Sequence, residues 1–195
     1  MLPCVRGEVP VVIHADEARQ IRSAVKWALA GKRKIVLAGA RDAWQVADLL
    51  ATNGIPVIYG QMFALPVRDV DGYDAHYRAP AILQKAGVKV AFAVSLSPHS
   101  LVKNLPYDAA QAVAFGLPVE EALKGITLYP AQIAGVADRL GSIEAGKDAT
   151  LVVTDGDILD IRANVRRIWI AGQEVSLESR HTRLYEKYKS RPKVN

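Results

Sequence analysis

The chain has 195 residues, half of them apolar and 23% charged, enough to bury a substantial core and too apolar for a disordered segment. It has no uninterrupted apolar run of 18 residues, and the start Met1-Leu-Pro-Cys-Val-Arg-Gly-Glu8 lacks the basic-then-apolar pattern of a secretory leader, so a soluble, cytoplasmic protein is expected. A single cysteine, Cys4, excludes an intrachain disulfide framework and any cysteine-rich zinc site. From Ser179 onward six basic residues face one acid, Glu186, and this difference of five equals the whole net charge of +5. Such a tail reads as a solvated helix end; a role in nucleic-acid binding ranks last among the functions considered.

In chain order, short apolar runs alternate with segments of helical period, the pattern of βα units on a parallel sheet. The first predicted strand is Val9 to His14. The helix after it begins near Asp16 and places Ala18, Ile21, Ala24, Val25, Ala28 and Leu29 on one face. The second strand is Lys34 to Ala38, with Asp42 as N-cap of a helix carrying Val46, Leu49 and Leu50. The third is Ile55 to Gly60, followed by a long loop from Gln61 to His76 and a helix from about Arg78 to Ala86. In that loop Asp69, Asp71 and Asp74 lack calcium-loop spacing and read as turn formers, and His76, in the same loop as Tyr73, reads as a solvent-exposed loop histidine, the alternative being a group that polarises a substrate or supports a site from behind. The fourth strand is Val88 to Val94, with helices after it from Pro106 to Phe115, Val119 to Lys124 and Pro130 to Ala134. From Ala149 the pattern changes to short strands: Ala149 to Thr154, then Val165 to Ile170 turning at Ala171-Gly172 into Gln173 to Leu177. Phosphate-loop, dinucleotide-binding and nucleophile-elbow motifs are missing from the sequence.

The passage from Val136 to Thr154, above all Leu140-Gly-Ser-Ile-Glu-Ala-Gly-Lys-Asp148, resembles one that amidohydrolase-superfamily enzymes place after their catalytic barrel. Pro10-Val-Val-Ile-His14, Asn104-Leu-Pro-Tyr107, Glu121-Ala-Leu-Lys-Gly-Ile-Thr127 and Ile168-Trp-Ile-Ala-Gly172 extend the match in the same order, and the whole resembles the second half of an imidazolonepropionase-like member. The resemblance implies an α/β fold: about four parallel βα units, half of a TIM-type (β/α)8 barrel, then short strands of a composite β-sandwich. It divides the chain into a partial barrel (1–140), a small β segment (141–178) and a basic tail (179–195), a chain too short for a whole enzyme of this kind.

What the family does is metal-dependent hydrolysis of C–N or related bonds, the metal lowering the pKa of a bound water. By the same resemblance, His14 matches the histidine of the fifth barrel strand and is the metal ligand to name; the alternative is a strand-end histidine bonded to a neighbouring loop. The sixth-strand histidine has no counterpart, since Ala38-Gly39-Ala40-Arg41-Asp42 stands there, and Ser95 takes the place of the eighth-strand aspartate. Serine is neither a carboxylate base nor a strong ligand. His99, on the loop after the last strand, is a candidate for polarising a substrate or supporting the site from behind. One imidazole does not hold zinc against water, so no cofactor is expected in the isolated chain, and Zn²⁺ or another divalent ion only if a second chain completes the site.

A half barrel leaves strand edges and an inner face open. If eight to twelve inward side chains each cover roughly 80 Å², pairing supplies about 16 to 24 kcal/mol before association costs. The expected partner is a second copy or a complementary half-barrel chain, with a small-molecule ligand as a further possibility. Three functions follow: a hydrolase by descent that is inactive alone, a non-catalytic binding or assembly module, or one subunit of a split hydrolase.

Overall fold

The computed structural model describes residues 2–94 and 99–190. After a one-turn helix, α1 (Leu2–Val5), come β1 (Val11–Ala15), β2 (Ile35–Gly39), β3 (Val57–Tyr59) and β4 (Val90–Phe92). They form one parallel sheet in the order β1-β2-β3-β4. The crossovers are α2 (Ala18–Ala30), a 3₁₀ turn at Ala43–Val46 leading into α3 (Ala47–Thr52), and α4 (Ala75–Lys85).

Strand starts lie a residue or two inside the predicted ones, and the prolines explain two of them. Pro10 has no N–H, so the ladder begins with Val11 N–H donating to Lys34 O at 2.9 Å. Ile55 N–H turns back to Leu50 O, leaving β3 to start after Pro56.

Strand side chains alternate between faces. Ile35, Leu37, Val57, Tyr59, Val90 and Phe92 point into one core with Ile21 and Val25 of α2, Leu50 of α3 and Leu83 of α4. Leu29, expected on the buried face of α2, is exposed, whereas Ile21, Ala24, Val25 and Ala28 are buried as the spacing predicts.

The opposite face carries Val12, Val36 and a row in direct register across all four strands: His14, Ala38, Ile58 and Ala91. It is smaller and better covered than eight to twelve open positions. Val36, Ala38 and Ala91 are buried, Ile58 is half-buried, and only Val12 and His14 on the edge strand are exposed.

Three helices follow β4: α5 (Leu105–Ala114), entered through a 3₁₀ turn at His99–Asn104, then α6 (Val119–Ile126) and α7 (Leu128–Ala134). Gly125 lets α6 lie against β4, because a Cβ there would stand 2.8 Å from the Phe92 ring and 3.0 Å from Val90 O. A separate antiparallel sheet contains β5 (Leu151–Thr154), β6 (Val165–Ile170) and β7 (Gln173–Val175). Its hairpin turns at Ala171 and Gly172, both with positive φ, as a two-residue primed turn requires. The tail is a fully exposed helix, α8 (Arg180–Tyr188), capped by Ser179 Oγ accepting from Thr182 N–H at 3.1 Å. Among the described residues no helix is long and apolar enough to cross a membrane.

Candidate active-site rim

The loops that follow β1, β2 and β3 gather at the C-terminal end of the parallel sheet, and charged side chains collect there. At the end of β2 the chain turns through Gly39 (φ 79°) and Ala40 (φ 57°), a left-handed pair that only bonds from outside can hold in place. Three such bonds come from the last residue of β1 and the one after it: Ala15 O accepts from Ala40 N–H at 3.1 Å, Asp16 O from Asp42 N–H at 2.8 Å, and Asp16 Oδ1 from Arg41 N–H at 3.3 Å. A side chain at residue 39 would stand 2.7 Å from Asp16 Oδ1, so the close approach requires glycine. Asp16 Oδ1 also accepts from Gln61 Nε2, at 3.2 Å.

Asp42 does not cap the helix that follows it, the role its position predicts; its side chain makes no such bond. Its carboxylate turns inward, 1% exposed, and accepts from Ala18 N–H in the first turn of α2 at 3.3 Å. It also takes both terminal nitrogens of Arg68, at 2.8 and 3.0 Å. Burial opposes its ionisation, but the hydrogen bonds from Arg68 and Ala18 and the charges of Arg68 and Arg41 outweigh it, holding the carboxyl below its usual range. Arg68 Nε donates to Asp71 at 3.0 Å, and the bonds to Asp42 and Asp71 raise the guanidinium pKa further. Arg68 thus pins the long loop after β3 to the ends of β1 and β2. Asp71 belongs to this pin and is more than a turn former.

His76 lies in the first turn of α4 and is 3% exposed, not in an open loop as its sequence context suggests. Its Nε2 lies 3.2 Å from Leu65 O, a bond that anchors the same loop. Burial, with Arg41 adding to it and the Leu65 bond opposing, lowers its pKa. Pro80, four residues on, has no N–H to give His76 O, and Tyr59 Oη donates to that carbonyl instead, at 3.1 Å. Burial, then the charges of Asp42 and Asp16, push the Tyr59 phenol well up, so it remains a donor.

Of the residues singled out from the sequence, the side chains of His14 and Cys4 lie among the described residues. His14 is exposed on the edge strand, bordering a shallow hollow with Arg19, Gln20 and Trp27. The backbone of His99 opens the 3₁₀ turn before α5, but its side chain lies outside the described residues, and so does Ser95. Cys4 is half-buried in α1. The cluster of Asp16, Arg41, Asp42, Gln61, Arg68, Asp71 and His76 was missed, since its key pair is 26 residues apart in sequence. The one available signal was an arginine set among loop aspartates, Arg68-Asp69-Val-Asp71.

The donor set can be tested against the metal that the fold suggests. Among the described residues no three His, Cys, Asp or Glu side chains are placed to share an ion. Asp42 is saturated by Arg68 and Ala18, Asp16 Oδ1 by Arg41 and Gln61, and His14 is left with Ala38 as its register neighbour. These residues do not by themselves fit a catalytic metal, which takes three protein ligands.

Comparison with known proteins places this geometry. In sequence, the chain is 39% identical over 79 residues to Amidohydrolase tasK of Hapsidospora irregularis, covering 40% of this chain and 8% of that protein. Imidazolonepropionase of Brucella suis is 28% identical over 151 residues, 76% of this chain and 36% of the relative. The crystal structure of an amidohydrolase from Thermotoga maritima MSB8 superposes with a TM-score of 0.81 at 32% identity, over 90% of this chain and 45% of that one. The chain therefore spans less than half the length of these relatives, and its four-stranded sheet is half of a (β/α)8 barrel. The amidohydrolase family model matches residues 8–175, which take in the rim, the barrel strands and the C-terminal hairpin alike, and the chain belongs to the amidohydrolase family.

Proposed function

We propose that this chain supplies the C-terminal half of an amidohydrolase barrel and one side of its active-site mouth, and that hydrolysis of a non-peptide C–N or related bond requires a further half barrel. The observation that carries this reading is the cross-strand row His14, Ala38, Ile58 and Ala91, in which one imidazole is the only metal-binding side chain. A water made nucleophilic at neutral pH needs a metal held by several protein ligands or an equivalent base, and this row offers neither alone. If zinc or another divalent ion takes part, His14 is this chain's contribution, and the remaining ligands come from the partner.

The open edge of β1, with Val12 and His14 exposed, is where further strands would pair, from a second copy or a complementary half barrel. A cytoplasmic setting suits its single unpaired cysteine, Cys4. The saturated Asp42–Arg68–Asp71 lattice favours a second reading, a binding or assembly module in which ion pairs have replaced ligands at the rim.

The test combines light scattering with hydrolysis assays on cyclic and acyclic amides, with and without added Zn²⁺. An inactive oligomer is expected. Metal-dependent turnover by a monomer, abolished by His14→Ala, would overturn the proposal.

A further inference from the structure

Two arginines approach Asp42, and only one hydrogen-bonds it. Arg68 takes both carboxylate oxygens, and Ala18 N–H occupies what remains of Oδ2. Arg41 is left with a loose approach, its Nε 3.6 Å from Asp42 Oδ1, too long for a hydrogen bond. That Nε is buried without any hydrogen-bond partner, on a side chain only 20% exposed.

A buried Nε–H without an acceptor is costly, and the backbone fixes this one in place. Its backbone N–H is fixed to Asp16 Oδ1, and the residue before it, Ala40, is kept in the left-handed region by Ala15 O. It stands at the C-terminal end of a barrel strand, the face where ligands bind in this architecture. We infer that Arg41 is the docking cation for the carboxylate of a small organic ligand entering at the rim.

A carboxylate fits better than a phosphate. One planar fork matches a two-oxygen acceptor, whereas phosphate sites recruit free backbone N–H groups at a helix N-terminus. The start of α2 is already engaged: Ala18 N–H by Asp42, and the N–H groups of Asp16 and Glu17 by Gln20 Oε1. The loop tied to the same cluster through Arg68 and Leu65 O presents Phe63, Leu65 and Val67 to solvent, a surface suited to an apolar ligand body. The assignment deepens the amidohydrolase reading by naming a substrate class, yet binding stands or falls independently of turnover.

The experiment is an NMR titration of the ¹⁵N-labelled 195-residue chain with sodium hexanoate at ionic strength held constant with chloride, following Arg41 Nε–H and the amides of Ala40 and Gln61. A saturable shift at all three is expected, with binding read from the two amides lost in Arg41→Gln and weakened about tenfold in Arg41→Lys, which keeps the charge but not the fork. No saturable movement of Arg41 Nε–H in the unmodified chain would overturn the assignment. So would undiminished binding in Arg41→Gln, which would locate the anion elsewhere, such as the basic tail. Inorganic phosphate binding as tightly as hexanoate would overturn the carboxylate class.

Discussion

Asp42 joins three segments through one carboxylate: the start of α2, the end of β2 and, by way of Arg68, the loop after β3. Removing Arg68 leaves a buried charge with one backbone donor and a distant Arg41. Because Arg68 itself is 40% exposed, the expected cost of Arg68→Ala is about 2–3 kcal/mol, below that of a fully buried pair. The folded carboxyl titrates below its ordinary value of 3.8, so its contribution is complete above that value and is lost as pH falls through the folded value. In urea melts, the gap between the unmodified chain and Arg68→Ala should therefore hold from pH 7 to about 5 and narrow below about 4. A gap constant down to pH 3 would mean the pair is not the source. Tyr59 and Pro80 make a second residue-scale case, because the hydroxyl serves a carbonyl that the proline leaves unpaired. Tyr59→Phe should cost about 1–2 kcal/mol. It should cost less in a Pro80→Ala background, where residue 80 regains its N–H; additive losses in that double-mutant cycle would contradict the link.

At the scale of elements, α6 depends on Gly125. Alanine there would gain about 1 kcal/mol of helix propensity, yet its methyl would meet the Phe92 ring and Val90 O, and strands move less readily than side-chain tips. Gly125→Ala is expected to lower stability by about 1–3 kcal/mol; a higher melting temperature would mean that α6 does not sit this close to β4. The βα order was legible in the sequence because apolar runs such as Ile35–Leu37 and Val88–Phe92 can only be buried strands beside helices of matching period. Element ends were less legible, since they turn on single donors such as the missing N–H of Pro10. The long loop was legible only as a loop. Its anchors, Arg68 to Asp42 and His76 to Leu65 O, join positions that no local period connects, so Asp42 read as a helix cap and His76 as a solvated side chain.

At the scale of the molecule, the sequence motifs carry the family, and the structure refines what the half barrel exposes. Among the described residues the inner face has six strand positions, three of them already buried, so the apolar surface left open is smaller than an empty half barrel would leave and lies mainly at the β1 edge. The three-stranded β5–β7 sheet carries a second group of partly exposed apolar side chains, Val152, Val153, Val165, Ile170 and Val175. The central claim is that this chain provides a family barrel half and a hydrogen-bonded charged rim without assembling a metal centre of its own. The most direct test is the zinc-to-protein ratio after incubation with Zn²⁺ and gel filtration, measured beside His14→Ala. A ratio near zero in both is predicted. About one zinc retained per chain and lost with His14→Ala would show that this chain closes a metal site by itself, and would contradict the account.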